Sequence, residues 1–455
     1  MTTQIKKYFI KTYGCQMNEY DSERMKNMLV GMGYEQTEVM TEAEIVLMNT
    51  CHIREKATER MYSELGRVRE HKEERAGQGG KTIVIVSGCV AQAEGDEIFR
   101  RAKFVDIVVG PESYHNLPKM IENAIKGEEK LINLKFAPEE KFDFLEAELI
   151  KDDGTFKASS FVTVQEGCDK FCTFCVVPYT RGAEYSRKVE QVMDDVKRLV
   201  DKGTKEIVFL GQNVNAYHGT DVLEKKWNLG RLIAKTATIN GVERIRYTTS
   251  HPRDMHPELI AMHASEPKLM PLLNLPVQSG STAVLKAMNR KHTREEYITL
   301  MQKLKTVRPD MIFSSDFIVG FPGETDQDFE DTLDLIRQIK FESQCFSFKY
   351  SPRPGTPAAN KDQVPDEVAS QRLDILQDLL TEQRQAFNNT MLGKTVKVLF
   401  DNKNMRQENQ IGGRTEFLQI VVVDCNKKED LFGKIFDVQI TGVNNNSLNV
   451  KLIIN

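Results

Sequence analysis

The chain has 455 residues, 40% of them hydrophobic and 28% charged, with a formal net charge of −4. That balance belongs to a folded globular protein and excludes a disordered one. The slight acidic excess gives no general affinity for nucleic acid, so any RNA-binding surface must be a local patch.

The length suits about three domains. No apolar run reaches the roughly 18 residues of a membrane span. The start, Met1-Thr-Thr-Gln-Ile-Lys-Lys7, lacks the apolar core of a secretion signal. A cytoplasmic location without membrane association is therefore expected. Eight cysteines in that setting point to ligands or reduced thiols rather than a disulfide framework.

The first section alternates apolar strands with amphipathic helices. Strands are expected at Tyr8–Thr12, Ile45–Met48, Thr82–Ser87 and Phe104–Val109. Helices are expected at Asp21–Val30, from about Arg54 to Arg75, near Glu94–Arg101 and through Ile125. Such alternation implies a parallel sheet covered on both faces. Cys15, Cys51 and Cys89 each follow one of these strands within about three residues, with 35 and then 37 residues between them. All strand ends of a parallel sheet lie on one edge, where α/β sites form, so the three thiols are expected to converge. The alternative is three small buried cysteines, a common fate of free thiols.

Residues 128–157 lose this rhythm and finish in Lys151-Asp-Asp-Gly154, which reads as a linker. Strand and helix then alternate again, with strands expected at Ser160–Gln165, Glu206–Leu210, Arg244–Thr248, Met270–Leu275, Ile312–Val319 and Gln344–Lys349. Six strands fall short of the eight in a full barrel, so a partial (βα)6 TIM-like barrel is expected. Just after its first strand stand Cys168, Cys172 and Cys175, spaced Cys-x3-Cys-x2-Cys, with Phe174 before the last. Three thiolates can hold three irons of a 4Fe–4S cube and leave the fourth iron open, where a cluster does chemistry. Zinc prefers four ligands in paired knuckles, and no second knuckle follows.

A helix over Glu367–Phe387 closes this section. The tail reads as four strands, Lys394–Phe400, Arg414–Val423, Gly433–Thr441 and Ser447–Ile454, without a helix pattern, hence a small all-β barrel. Lys394, Lys397, Lys403, Arg406 and Arg414 fall in its first half, forming either one basic face or an ordinary solvated surface. The domains expected are 1–150, 151–387 and 388–455. Cys345 and Cys425 follow no pattern and read as core thiols.

A strand, a loop and Cys-x3-Cys-x-aromatic-Cys resemble the signature of the radical S-adenosylmethionine (SAM) enzymes. The whole chain resembles the methylthiotransferases of that superfamily, whose order is a three-cysteine domain, a radical-SAM barrel and a TRAM domain, a small RNA-binding β-barrel. Asn49-Thr-Cys-His-Ile-Arg-Glu55, Cys175-Val-Val-Pro-Tyr-Thr-Arg-Gly182, Gly211-Gln-Asn-Val-Asn-Ala-Tyr217 and Thr249-Ser-His-Pro-Arg253 resemble the MiaB-type, tRNA-modifying branch. So do Leu275-Pro-Val-Gln-Ser-Gly-Ser281 and Asp316-Phe-Ile-Val-Gly-Phe-Pro-Gly-Glu-Thr325.

The resemblance implies two 4Fe–4S clusters, one on Cys15, Cys51 and Cys89 and one on Cys168, Cys172 and Cys175, with SAM used twice. One SAM methylates a sulfur held at the first cluster; the other yields a 5′-deoxyadenosyl radical that abstracts hydrogen from carbon 2 of an adenine. The substrate implied is tRNA bearing N6-isopentenyladenosine beside the anticodon. A ribosomal protein or threonylcarbamoyl adenosine is the alternative substrate within the family, and a non-catalytic Fe–S RNA-binding protein is the alternative of another class. Gln212 and Asn213 are implied for the SAM amino group, Gly320 and Gly323 for its adenine, and Phe174, Ser250, Arg253 and Gln278 for further SAM or substrate contacts. The same residues also suit ordinary loops, turns and ion pairs. A reductant protein such as a flavodoxin or ferredoxin and a sulfur donor are implied partners, and a monomer is expected. For both clusters to serve one cavity, the first domain is expected to place its sheet edge over the barrel mouth.

Overall fold

The computed structural model describes residues 6–52, 55–147, 156–403, 405, 407–425 and 427–453. The chain divides into two compact units. One comprises Met1–Thr155, Glu166–Asp169 and Val176–Tyr185; the other comprises Phe156–Gln165, Lys170–Cys175 and Ser186–Asn455.

The first unit is built on a six-stranded parallel sheet in the order Tyr34–Gln36, Lys6–Tyr13, Ile45–Thr50, Ile83–Ser87, Ile107–Val109, Leu131–Asn133. Every residue of the strand Ile45–Thr50 is buried, as expected of a parallel strand covered on both faces. Alternate residues feed two cores. Leu47, Ile85 and Ile107 meet Met25, Leu29 and Ile121 on one side, while Val46, Val84 and Val108 meet Met61, Leu65 and Ile98 on the other. Each such side chain contributes about 1.5–3 kcal/mol by leaving water.

Two three-residue edge strands escaped the sequence reading because so short a run carries no periodicity. The segment read as a linker from 128 also holds structure, the strand Leu131–Asn133 and the helix Pro138–Ala147. Lys141, at an inward position of that helix, is 0% exposed and disguises its apolar face. Lys151-Asp-Asp-Gly154 lies outside the described residues.

In the second unit the strands Ser159–Thr163, Glu206–Leu210 and Arg244–Tyr247 pair in parallel. So do Leu272–Asn274 with Ile312–Ser314, and Asp316–Val319 with Phe346–Lys349. Single bridges, Ile245 to Leu269 and Gln278 to Phe317, extend the wall between these groups. The expected strand Ile312–Val319 is broken at Ser315, whose hydroxyl accepts from the Val277 N–H and donates to the Leu275 carbonyl. Outward residues such as Ile207, Phe209, Ile245, Leu273 and Phe317 form the core with the surrounding helices. The long helix Asp366–Thr390 leads into the tail.

The tail is a closed five-stranded barrel, not four strands. The expected strand Arg414–Val423 is an antiparallel pair, Gln410–Thr415 and Ile420–Asp424. The Thr415 hydroxyl accepts from the N–H groups of Phe417 and Gln419, and this local turn stops the strand. A short helix, Lys428–Leu431, also appears where none was expected. The tail docks on the partial barrel through arginine side chains: Arg244 donates to the carbonyls of Arg414 and Lys397, and Arg246 to that of Thr415. Among the described residues no helix is long and apolar enough to cross a membrane.

Candidate active site

Three strand ends of the first unit bring Cys15, Cys51 and Cys89 together. Cys15 caps the N-terminus of the helix Gln16–Gly31, and Cys89 opens the helix Cys89–Glu94. The approach depends on Gly14: a Cβ built there would lie 2.2 Å from the Cys51 Cβ, and its φ of +128° suits glycine. A hydrogen bond from Cys51 holds the Cys15 thiol near a pKa of 6 against the opposing effect of burial, with help from the charge of Arg181. Burial pushes the Cys89 thiol up, and Arg181 opposes that shift too. A cationic group beside helix-start thiols favours the thiolate, the ligand form.

Arg181 anchors a buried charge cluster that sequence reading missed. It pairs with Asp21 at 2.6 Å and lies 4.0 Å from Glu166, while Lys141 pairs with Glu166 at 2.6 Å and lies 3.7 Å from Asp21. Burial, then the charge of Glu166, holds the neighbouring Glu112 carboxyl well above the usual range. Glu166 itself is held near 2, because Lys141, Glu112 and Arg181 outweigh burial. Arg181 stands in the string after Cys175 and Glu166 two residues before Cys168. Their positions were visible in the sequence, but their mutual contact was not.

Cys168 belongs to the first unit, and Cys172 and Cys175 to the second. In the second unit the cysteine loop is strapped by the segment Ala287–Arg290. The Thr173 N–H donates to the Met288 carbonyl and its hydroxyl to Ala287, and Asn289 Nδ2 donates to the carbonyls of Lys170 and Phe171. Arg290 Nη1 lies 3.6 Å from Cys172 Sγ. Phe174 packs against Val284, Met288, Phe321 and Ala358. Its ring is partly buried there.

Buried polar atoms without a hydrogen-bond partner among the described residues collect near the strand ends of the partial barrel: Asn213 Oδ1, Ser250 Oγ and His251 Nε2, with His292 Nε2 on a turn whose ring meets that of His251. Gln165 Oε1 accepts from the N–H groups of both Gln212 and Asn213, and Asp254 accepts from Asn213 Nδ2. This leaves Oδ1 as the open acceptor. The Arg253 N–H donates to His251 Nδ1, which assigns the ring proton to Nε2 as an open donor. Four unsatisfied groups in one region are costly unless a polar ligand meets them.

Thr249 (φ +66°) and Gln278 (φ +80°) hold left-handed backbone at the ends of their strands, a strain that gathers at functional sites. Gln278 pairs by backbone with Asp316 and Ile318, and Arg253 is exposed. Gly320 N–H donates to Glu324, which Arg372 holds at 2.7 Å, while Gly323 faces open space.

Three of the basic residues of the tail have an acidic neighbour. Lys397 pairs with Asp437, Lys403 with Glu429, and Arg414 with Asp401. Lys394 is exposed, and Arg406 lies outside the described residues.

Among the described residues no three His, Cys, Asp or Glu side chains are placed to share one metal ion. In a cube each thiolate bonds a different iron, so such a donor set need not meet within one coordination sphere. Thiols with a lowered pKa or a guanidinium donor suit the cluster.

Residues 162–336 match the model of the Radical SAM superfamily, residues 7–110 that of the uncharacterized protein family UPF0004, and residues 389–453 that of the TRAM domain. Over 450 residues the chain is 56% identical to the tRNA-2-methylthio-N(6)-dimethylallyladenosine synthase of Rickettsia rickettsii (strain Sheila Smith), covering 98% of this chain and 100% of that one. The chain belongs to the radical-SAM methylthiotransferase family.

The family member of the same name from Rickettsia akari (strain Hartford) is 54% identical over 450 residues, with the same shares covered. Among solved structures, the radical S-adenosylmethionine methyltransferase TsrM from Kitasatospora setae superposes with a TM-score of 0.54, covering 78% of this chain and 77% of that one. The radical enzyme OxsB superposes at 0.51, covering 83% and 56%. At 12% identity both speak for the fold alone.

Proposed function

We propose that this chain is a tRNA methylthiotransferase that places a methylthio group on carbon 2 of N6-isopentenyladenosine next to the anticodon. The observation that carries the reading is the convergence of Cys15, Cys51 and Cys89 from three parallel strand ends. It occurs in a chain aligned end to end with synthases of that specificity. In this reading 1–150 carries the sulfur-handling cluster, 151–387 the SAM-dependent radical chemistry and 388–455 the RNA contacts.

Cys15, Cys51 and Cys89 would hold one 4Fe–4S cluster, and Cys168, Cys172 and Cys175 a second. Bound clusters and SAM supply one-electron and methyl-transfer chemistry that an unactivated aromatic C–H demands and no side-chain base provides. The chain's own residues recognise the amino-acid part of SAM. Asn213 Oδ1 accepts from its ammonium, while the Ser250 hydroxyl and the His251 Nε2–H donate to its carboxylate. Gln165 and Asp254 hold Asn213 in place for that role. Gly323, open on its Cβ side, admits the adenine close to the backbone, beside Gly320 packed on Ala369. Exposed Arg253, with Lys394, Lys397 and Arg414, suits tRNA phosphates. A flavodoxin- or ferredoxin-type reductant and a sulfur donor complete the reaction, in the cytoplasm and with the chain as a monomer.

The test is anaerobic protein with SAM, reductant and three substrates: isopentenylated tRNA, threonylcarbamoyl-adenosine tRNA and ribosomal protein. Methylthio product on the first alone is expected, from protein holding about eight irons. Fully loaded protein that modifies only one of the others would overturn the substrate assignment.

A further inference from the structure

Six arginines are buried among the described residues. Arg181, Arg187, Arg246 and Arg372 each pair with a carboxylate. Arg244 caps two carbonyls and feels the charge of Glu206. Arg290, only 5% exposed, has no carboxylate partner among the described residues. It donates to the Pro276 carbonyl and to Cys172 Sγ, and its Nε has no partner. A buried cation without an anion is costly unless negative charge meets it, and Cys172 Sγ is the group it faces that can carry one.

The placement is not incidental. Asn289 and Lys291, on either side, both hold left-handed backbone, at φ +60° and +59°. That turn directs Arg290 inward while Lys291 is exposed. The same turn is tied to the cysteine loop by Asn289, so the guanidinium and the Cys172 sulfur are fixed relative to each other. Arginine suits the task because its fork stays charged at any working pH and serves two acceptors at once.

We propose that Arg290 is a positioning residue that tunes the iron–sulfur centre on Cys168, Cys172 and Cys175, its donation to Cys172 offsetting the negative charge gained on one-electron reduction. The proposal rests on the reading that these cysteines hold a cluster. Hydrogen bonds to cluster sulfurs and local charge set reduction potential, so Arg290 raises it and eases electron entry from the external reductant.

The experiment uses full-length chain with Cys15, Cys51 and Cys89 replaced by alanine, reconstituted anaerobically, so that one centre gives the signal. Iron content and a redox titration followed by electron paramagnetic resonance are compared with Arg290→Gln and Arg290→Lys added. Full iron is expected in both. The reduction equilibrium should weaken about tenfold in Arg290→Gln, a potential about 59 mV lower for one electron, with Arg290→Lys in between. An unchanged potential at full iron overturns the proposal alone, and so does loss of iron in both variants, which would make Arg290 a structural strap. A background that binds no iron sinks the cysteine reading and this proposal with it.

Discussion

Glu206 and Arg246 pair at 2.8 Å inside the partial barrel, with side chains 2% and 5% exposed. Ser159 also donates to Glu206, and Arg246 reaches on to the Thr415 carbonyl of the small barrel. One ion pair thus ties the floor of the catalytic barrel to the tail.

Burial pushes the Glu206 carboxyl up, but Arg246 and Arg244 outweigh it and hold its pKa below the usual 4.5. Below pH 4.5 the unfolded chain takes up a proton that the folded chain refuses. The pair's contribution is therefore complete above that pH and fades as pH falls through the depressed value. Glu206→Gln should cost about 3–5 kcal/mol at neutral pH, since it strands a buried guanidinium. It should also lessen the fall in stability below pH 4.5. Urea unfolding at pH 7 and pH 4 measures both effects.

A second pH dependence comes from His263, which hydrogen-bonds the Tyr247 hydroxyl at 2.6 Å. Burial, then the charge of Arg308, lowers its pKa to about 3 from the ordinary 6.5. The folded chain keeps it neutral while the unfolded chain protonates, so stability drains away as pH falls from 6.5 toward 3. The slope is at most one proton, about 1.4 kcal/mol per pH unit. His263→Gln should flatten the stability profile between pH 6 and 4 by up to that amount. An unaltered slope counts against the neutral histidine.

Gly14→Ala should displace Cys51, since the added methyl would overlap its Cβ. The expected result is loss of about half the iron from anaerobic protein, with the Cys168 loop still loaded. Iron analysis with circular dichroism separates this from unfolding.

Arg372, on the helix Asp366–Thr390, grips Glu324 at 2.7 Å and Asp326 at 2.6 Å. That helix also presses Ala369 onto Gly320, where a Cβ would lie 2.6 Å from Ala369 Cβ. Arg372→Ala should free the loop and raise the SAM dissociation constant roughly tenfold, the worth of one charge-assisted bond. Calorimetric titration with SAM reads it directly, and wild-type affinity would place the SAM contact elsewhere.

If Lys394 and Arg414 meet phosphates, replacing both with alanine should reduce the salt dependence of anticodon stem-loop binding. The slope of log affinity against log salt should fall by roughly 0.7 for each phosphate-binding cation removed. Filter binding over a salt series tests this, and a parallel line would make the two residues ordinary surface.

Much of the site could be read in advance because its signals are local. A Cys-x3-Cys-x2-Cys loop after a strand needs no tertiary knowledge, and neither does a strand followed at once by cysteine, repeated three times. What escaped has no local pattern. Lys141 looked like linker charge because its partner Glu166 is 25 residues away. Arg290 and His292 lie in a turn with no motif of its own, and the apolar neighbours of Phe174 come from distant segments. Three of the basic tail residues meet acids that the fold brings alongside, two from neighbouring barrel strands and Glu429 from the short helix Lys428–Leu431.

The order of apolar strands, helices and cysteines was enough to establish a parallel sheet, a partial barrel and a β-barrel tail, together with the thiols suited to iron. Those features follow from periodicity and chain direction, which are written in neighbouring residues. Which charges neutralise one another, which arginine is left facing a sulfur and which polar atoms stay open for a ligand depended on the folded chain. Burial makes each of those choices expensive, and only packing brings distant residues close enough to make them.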